Sequence, residues 1–510
     1  MEQTFLSIVG MIPIWAWALG IALIGLLPML YNMLFHPLRH FPGPSMAGAT
    51  LWWKAYKEVF LHQTLATELF DLHEKHGDIV RVGPNELHFG NPSAFHEIYN
   101  GSRRWDKDVG LYGTPGVRSG SFVTLKYDQA KERRAVLQPM FSKRAIKNIE
   151  GLVWKNADRL SAAITRGNAE DKSVDFLYAF RSFTLDTIMG FTLGDCINAV
   201  DAPSFADPLI LAMDASLRAL PLLKNFPLIR KLAYAIPPSL MMKTLPDPER
   251  LTPRIYQVRS LIQERLKAVI ESPEKLDEAA HQTVFHRMLD KASYKSKVVP
   301  ESGELHDEGL TLIFAGANTV ADTLLMGHWH LLNQPKLLDQ LRAELTTVWP
   351  DPNAHPSVQD LESLPLLTAT IKESLRHIPS GVSLTRIVPP EGATISGRRI
   401  PGGTIVGMSI LHVHQSEQIF KDALAFKPER WLVDDTKHLD EYLVAFSRGP
   451  RMCFGVNLAW CELYVAFATM IRRFDMALDK TTAEDMEWRE CIAAYYPKRH
   501  LHAWCRPVEK

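Results

Sequence analysis

A chain of 510 residues with 57 basic and 57 acidic side chains has room for one large catalytic domain or two to three average ones, and carries no formal net charge. No long run of like charge interrupts it, which excludes the basic footprint of a nucleic-acid binder. Its five cysteines are odd in number and contain no C-x-x-C pair, which excludes a disulfide framework or zinc ribbon and suits a reducing compartment.

The first element in chain order is an apolar run without a charged residue from Phe5 to Leu30. It exceeds the roughly 20 residues that cross a bilayer. Ala16-Trp17-Ala18 mimics a signal-peptidase site, but no Lys or Arg precedes the run and it continues well past that site. The expectation is a retained anchor over residues 1–30, including a short luminal tip. Arg39, Lys54 and Lys57 follow the segment and none precede it, so the bulk of the chain is expected on the cytosolic side. Pro37, Pro42 and Pro44 then forbid a continuous helix and predict a stiff hinge over 31–50. Residues 51–510 form the expected catalytic domain, mainly helical with small sheets.

Within that domain, strand-like pieces lie near Asp78–Phe89 and Thr394–Val406. The second predicts a hairpin, with Ala393–Ile395 and Ile400–Val406 flanking the turn Ser396-Gly397. A long apolar helix is predicted from Glu308 to Leu332, another from Lys336 to Val348 opened by Pro335, and a third from Leu366 to His377 ended by Pro379. Leu209–Met242 is unusually apolar, as ordinary core or as a surface that dips into the bilayer and admits apolar substrate.

The segment Phe446-Ser447-Arg448-Gly449-Pro450-Arg451-Met452-Cys453-Phe454-Gly455 carries the chemistry. Gly449 and Gly455 allow tight turns on either side of the sulfur, so that backbone N–H groups can face a thiolate. Arg451 can pair with an anionic group over the loop, and Phe446 supplies an apolar wall. A lone thiolate cannot build a zinc or iron–sulfur site, but it can be the single axial ligand of a haem.

Here the chain resembles the cytochrome P450 superfamily, whose signature F-x-x-G-x-R-x-C-x-G is matched at all of its fixed positions. A chance match in a chain this long is on the order of 1 in 10⁴. The resemblance implies haem b with Cys453 as the axial thiolate on iron, a P450 fold behind one transmembrane helix, and dioxygen as co-substrate. It also implies electrons from an NADPH-dependent cytochrome P450 reductase, or cytochrome b5, at the endoplasmic reticulum.

Further motifs carry the resemblance. Glu373 and Arg376 stand three apart on a helix, so their side chains meet. With Arg430 of Phe426-Lys427-Pro428-Glu429-Arg430 they match a triad that locks the core on the haem side. Ala315-Gly316-Ala317-Asn318-Thr319 matches the family's A-G-x-D/E-T, with Thr319 expected to organise protons beside bound dioxygen. Asn318 departs from the pattern, because an amide cannot release a proton as a carboxyl can. Asp322, one turn on, is a candidate substitute, beside a solvated or capping role. Arg133 matches an arginine that binds a haem propionate, with Gln129 in place of the usual Trp or His. Arg386 matches a second such contact, and Arg451 a third; guanidinium groups suit carboxylates by their bidentate fork.

The hinge phrasing Phe35-His36-Pro37-Leu38-Arg39 is similar to that of filamentous-fungal microsomal members. The expected function is insertion of one oxygen atom of dioxygen into a lipophilic secondary metabolite, with a terpenoid ahead of an alkaloid or polyketide. Pocket walls are expected from Leu111–Phe122, Leu209–Met242, Ala315, Val382–Leu384 and Tyr495-Tyr496. Three alternatives stay open: a sterol or fatty-acid oxygenase, a haem-thiolate isomerase or dehydratase, and a membrane-anchored binding protein without haem.

Overall fold

The computed structural model describes residues 14–236, 251–380 and 383–508. Helices dominate, and the sheets are small, as the sequence leads one to expect. The core is built around Phe176–Leu193, nearly all of whose side chains are buried. Asp175 caps its start by accepting from the N–H groups of Leu177 and Tyr178, and Gly194 ends it at φ 82°.

Against this helix lies Ser302–Leu332, six residues longer at its start than expected. Two glycines set how closely its neighbours approach. A Cβ on Gly316 would fall 2.6 Å from Ile188 Cγ1, and one on Gly327 would fall 2.4 Å from the Phe467 ring. Small residues at such seams let helices pack backbone to side chain without a void. Thr184 reinforces the first seam by donating to the Ala317 carbonyl at 2.7 Å. The helices Pro335–Val348 and Pro365–Arg376 both start on proline, whose missing N–H costs nothing there.

A four-stranded sheet sits at one side, in the order Ile79–Gly83, Glu86–Phe89, Ile405–Ser409, Ser383–Ile387. The first and last pairs are antiparallel and the central one is parallel. The expected hairpin forms, but with a different partner: Ala393–Ile395 pairs with Arg398–Ile400, in register Ala393↔Ile400. Ser396 and Gly397, at φ 48° and 70°, make the tight left-handed turn. Pro401 lacks the N–H a ladder needs, so pairing stops there and the strand at Ile405 joins the larger sheet instead.

The N-terminal helix runs Ile14–Leu34, past the expected boundary at residue 30, and residues 1–13 of the expected anchor lie outside the described residues. Leu23, Ile24, Leu26, Leu27 and Leu30 are exposed on it. Among the described residues, Ser302–Leu332 is long and apolar enough to span a membrane, but it is largely buried inside the fold. Arg81 ties down the end of the N-terminal helix and the segment after it, its Nη1 donating to the Asn32 carbonyl at 3.0 Å and its N–H to the Pro42 carbonyl at 2.7 Å.

Of the apolar segment from Leu209, the part up to Leu223 is mostly core. Leu228, Ile229 and Leu232 are exposed, and residues 237–242 lie outside the described residues. Phe226 meets Trp52 edge-on at 5.3 Å, which brings this segment beside the exposed Trp52, Tyr56 and Phe60.

Candidate active site

The Cys453 loop is folded by its own backbone. Cys453 N–H donates to the Phe446 carbonyl at 2.9 Å, and Met452 N–H to the Gly449 carbonyl at 3.0 Å. Gly449 is required: its φ is 73°, and a Cβ would fall 2.5 Å from the Tyr99 carbonyl oxygen. Gly455 is not required in that sense. It precedes the helix Val456–Arg473 at an ordinary φ of −78°, and a Cβ there would meet Cys453 Sγ at 3.6 Å, a normal contact. Its side-chain hydrogen leaves room beside the sulfur, and its N–H supports the thiolate.

The sulfur opens into a chamber of about 340 Å³ while lying deep in the protein. Burial pushes the thiol up, and the Gly455 N–H and the Arg134 charge pull the other way. Phe446 and Phe454 flank it, and Ala315 and Thr319 from the long helix line the same chamber. Thr319 Oγ1 donates to the Ala315 carbonyl at 3.2 Å. Asn318 is buried, its Nδ2 donating to the Phe314 carbonyl at 3.0 Å and its Oδ1 left without a partner.

One rim of the chamber is cationic. Arg451 is buried and donates to the carbonyls of Thr124 at 3.0 Å and Leu125 at 2.8 Å. Arg386 stands behind the lining, close enough to act on Arg451, and donates to the Tyr112 hydroxyl at 3.0 Å. Arg133, expected in this group, instead pairs with Glu304 at 2.9 Å, away from the chamber, and Gln129 is exposed. The next residue, Arg134, faces the chamber, 5.2 Å over the Phe454 ring. Adjacent helical residues point about 100° apart, so only one of the doublet can face inward. Lys107, which the sequence did not single out, is buried beside them and donates to the Phe122 carbonyl at 2.6 Å.

Among the described residues none of these four cations has a carboxylate partner within salt-bridge distance. Burial pushes Lys107 well down, and Arg386, Arg451 and Arg134 push it further. Burial and then Arg386 lower Arg451 to about 10. Buried like charges are costly unless an anion sits among them. The set therefore fits a group that brings carboxylates to this rim and a metal to the thiol, which is the donor set a haem requires.

Away from the chamber, Glu373, Arg376 and Arg430 come together. Arg376 donates to both Glu373 oxygens at 3.0 and 2.7 Å, Arg430 Nε to Oε1 at 3.1 Å and Trp431 Nε1 to Oε2 at 2.9 Å. Burial alone would raise the Glu373 carboxyl; its donors, His377 and Arg376 foremost, outweigh that and hold it well below the usual range.

The loop before Phe122 is clasped to the long helix by acids. Asp307 accepts from the N–H groups of Arg118 and Ser119 at 2.8 and 3.1 Å, and buried Glu308 from Ser121 N–H at 2.8 Å. Burial raises the Glu308 carboxyl to about 7. Ser121, Phe122, Ser216, Tyr234 and Leu384 line the upper chamber, as expected of their segments. Tyr495 and Tyr496 do not. The chain turns at Ile492, between the paired strands Arg489–Cys491 and Ala493–Tyr495, and it is Ile492 and Ala493 that face inward. Val382 lies outside the described residues.

The cytochrome P450 family model matches residues 44–501. The chain is 32% identical to cytochrome P450 monooxygenase macH of Penicillium terrestre, over 96% of this chain and 98% of that one. It is 31% identical to cytochrome P450 monooxygenase flvC of Aspergillus flavus, over 94% of each. Tryptophan 6-hydroxylase fscE of Fusarium equiseti is 32% identical over 89% of each chain. The thiol-bearing chamber within a helical fold is thus that of a haem-thiolate oxidoreductase. The chain belongs to the cytochrome P450 family and is a monooxygenase related to fungal members.

Proposed function

We propose that the chain inserts one oxygen atom of dioxygen into a lipophilic ring compound of fungal secondary metabolism, a terpenoid ahead of an alkaloid or polyketide. The observation that carries this reading is the single chamber that joins the Cys453 thiol, an unpaired cationic rim and a largely apolar upper wall. When bound, haem supplies the activation of dioxygen. Cys453 would hold its iron, and the Gly455 N–H and burial tune the sulfur. Arg134, Arg386, Arg451 and Lys107 take the propionates. Phe446 and Phe454 keep water from the sulfur. Thr319 holds a proton donor at its Oγ1 beside the reacting atoms. Val117, Phe122, Leu220, Phe314 and Ile492 exclude water and press the substrate toward that point. Glu373, Arg376 and Arg430 are structural.

The N-terminal segment anchors the enzyme in the endoplasmic reticulum membrane, with the catalytic domain cytosolic and electrons arriving from an NADPH-dependent reductase or cytochrome b5. The exposed apolar side chains around Trp52 and Leu228 support a membrane-facing entrance. The test is incubation of the reductase-coupled enzyme with a fungal lipid extract under ¹⁸O-labelled dioxygen. Product carrying one labelled oxygen is expected; product formed without label contradicts the reading.

A further inference from the structure

Asn318 cannot pass a proton, yet an acid is buried one turn further along the same helix. Asp322 is fully buried, and its Oδ2 accepts a short hydrogen bond from the Ser380 hydroxyl. Ser380 itself lines the chamber together with Asn318 and Thr319, whereas Asp322 does not reach it. We propose that Asp322 and Ser380 form a proton relay into the chamber, Asp322 storing the proton and the Ser380 hydroxyl delivering it, in place of the acid missing at Asn318. The proposal rests on the monooxygenase reading above.

The charges around Asp322 favour a stored proton. Its Oδ1 has no hydrogen-bond partner and lies 3.8 Å from Arg181 Nη2. Arg181 is committed elsewhere, to Asp214 Oδ1 at 2.6 Å and to the Ala494 carbonyl at 3.3 Å. Two carboxylates thus share one buried cation, and Arg218, 3.6 Å from the far oxygen of Asp214, is half exposed. The remaining titratable neighbour is Tyr496, buried with an unpartnered hydroxyl that burial keeps protonated. Burial raises the Asp322 carboxyl to about 6, and Asp214 adds to that against Arg181, Ser380 and the nearby Ala494 N–H.

The serine is wired to switch. Its Oγ accepts from Ala494 N–H at 3.0 Å, leaving one lone pair and one proton. With Asp322 ionised, that proton is held by Oδ2. With Asp322 protonated, the acid donates to the free lone pair and the serine O–H turns into the chamber. Delivery moves the serine proton to an acceptor in the chamber and the Asp322 proton to Ser380 Oγ. Asp322 is left ionised and is reloaded from water by the reverse path. No electron pair changes owner beyond these O–H bonds.

The test starts with infrared difference spectra of resting haem-loaded protein between pH 5 and 8. Glu308 contributes a carboxylic-acid carbonyl band that titrates in this window, near pH 7. A second band titrating near pH 6 is expected in the wild type, absent in Asp322→Asn with the Glu308 band kept, and shifted in frequency in Ser380→Ala. Asp322→Asn leaves Arg181 balanced by Asp214, so the fold is expected to hold; Ser380→Ala gives an independent reading. In turnover, product per NADPH consumed should fall as pH rises through this range in the wild type. Both variants should lose that pH dependence and give at least about tenfold less product at pH 6, with peroxide in its place. An unchanged infrared band near pH 6 in Asp322→Asn, or wild-type pH profiles in both variants, overturns the relay. Loss of the thiolate carbonyl spectrum in the wild type would instead overturn the monooxygenase reading, and the infrared band reports on the pair in either case.

Discussion

The Arg134 guanidinium lies 5.2 Å over the Phe454 ring, on the chamber side of its helix and within electrostatic reach of the Cys453 sulfur. Arg133, one residue earlier, turns away to Glu304. Arg134→Ala should therefore lower haem content several-fold, read as Soret absorbance per protein, because a propionate loses its charged partner. Arg133→Ala removes a part-exposed pair worth about 0–1 kcal/mol and should leave haem content unchanged. Equal losses in the two variants would reverse the assignment.

Glu373 balances two buried guanidinium groups. Glu373→Gln should cost about 3–5 kcal/mol and show as a lowered denaturation midpoint and poor haem retention. Because the folded carboxyl sits below its unfolded value, the ionised form stabilises the fold above the unfolded range near pH 4.5. That contribution is lost only as pH falls below it. The variant should therefore differ most from wild type at neutral pH, and a difference that grows on acidification contradicts this.

Glu308 has the opposite sign. Its folded carboxyl, at about 7, lies above the ordinary carboxyl value of 4.5, so stability is full below pH 4.5 and is lost as pH rises through 7. The shift corresponds to about 3 kcal/mol. Glu308→Gln mimics the protonated form and should match wild type near pH 5 and exceed it in denaturant midpoint at pH 8. A variant less stable at pH 8 would show that the charge is needed on the Ser121 clasp.

The two loop glycines should separate. Gly449→Ala forces a left-handed backbone and a contact at 2.5 Å, and should cost about 1–3 kcal/mol and most of the haem. Gly455→Ala should fold and bind haem, with an altered Soret position, since its Cβ meets the sulfur at 3.6 Å.

Much of the site was legible because the family signature ties side chains to fixed spacings. The cysteine loop, the Glu373–Arg376 pair, the two loop segments over the chamber and the long helix could all be read from residue order. Phase within an element was harder. Choosing between Arg133 and Arg134 needed the rotation of a helix whose apolar face is weakly marked, and Arg134, Lys107 and Ile492 gain their places only from packing. The pairing of Ala393–Ile395 turned on where Pro401 interrupts the following segment. Asp322 could be seen beside Thr319 in sequence, but its connection to Ser380 joins residues 58 apart and had no local signal.

The proposed function turns on Cys453 holding haem iron through its thiolate. The carbon monoxide difference spectrum of the reduced protein measures this directly. Wild type should give the red-shifted band of a thiolate-ligated haem, and Cys453→Ala should lack that band together with all oxygenase activity. Retention of the band in Cys453→Ala would contradict the account.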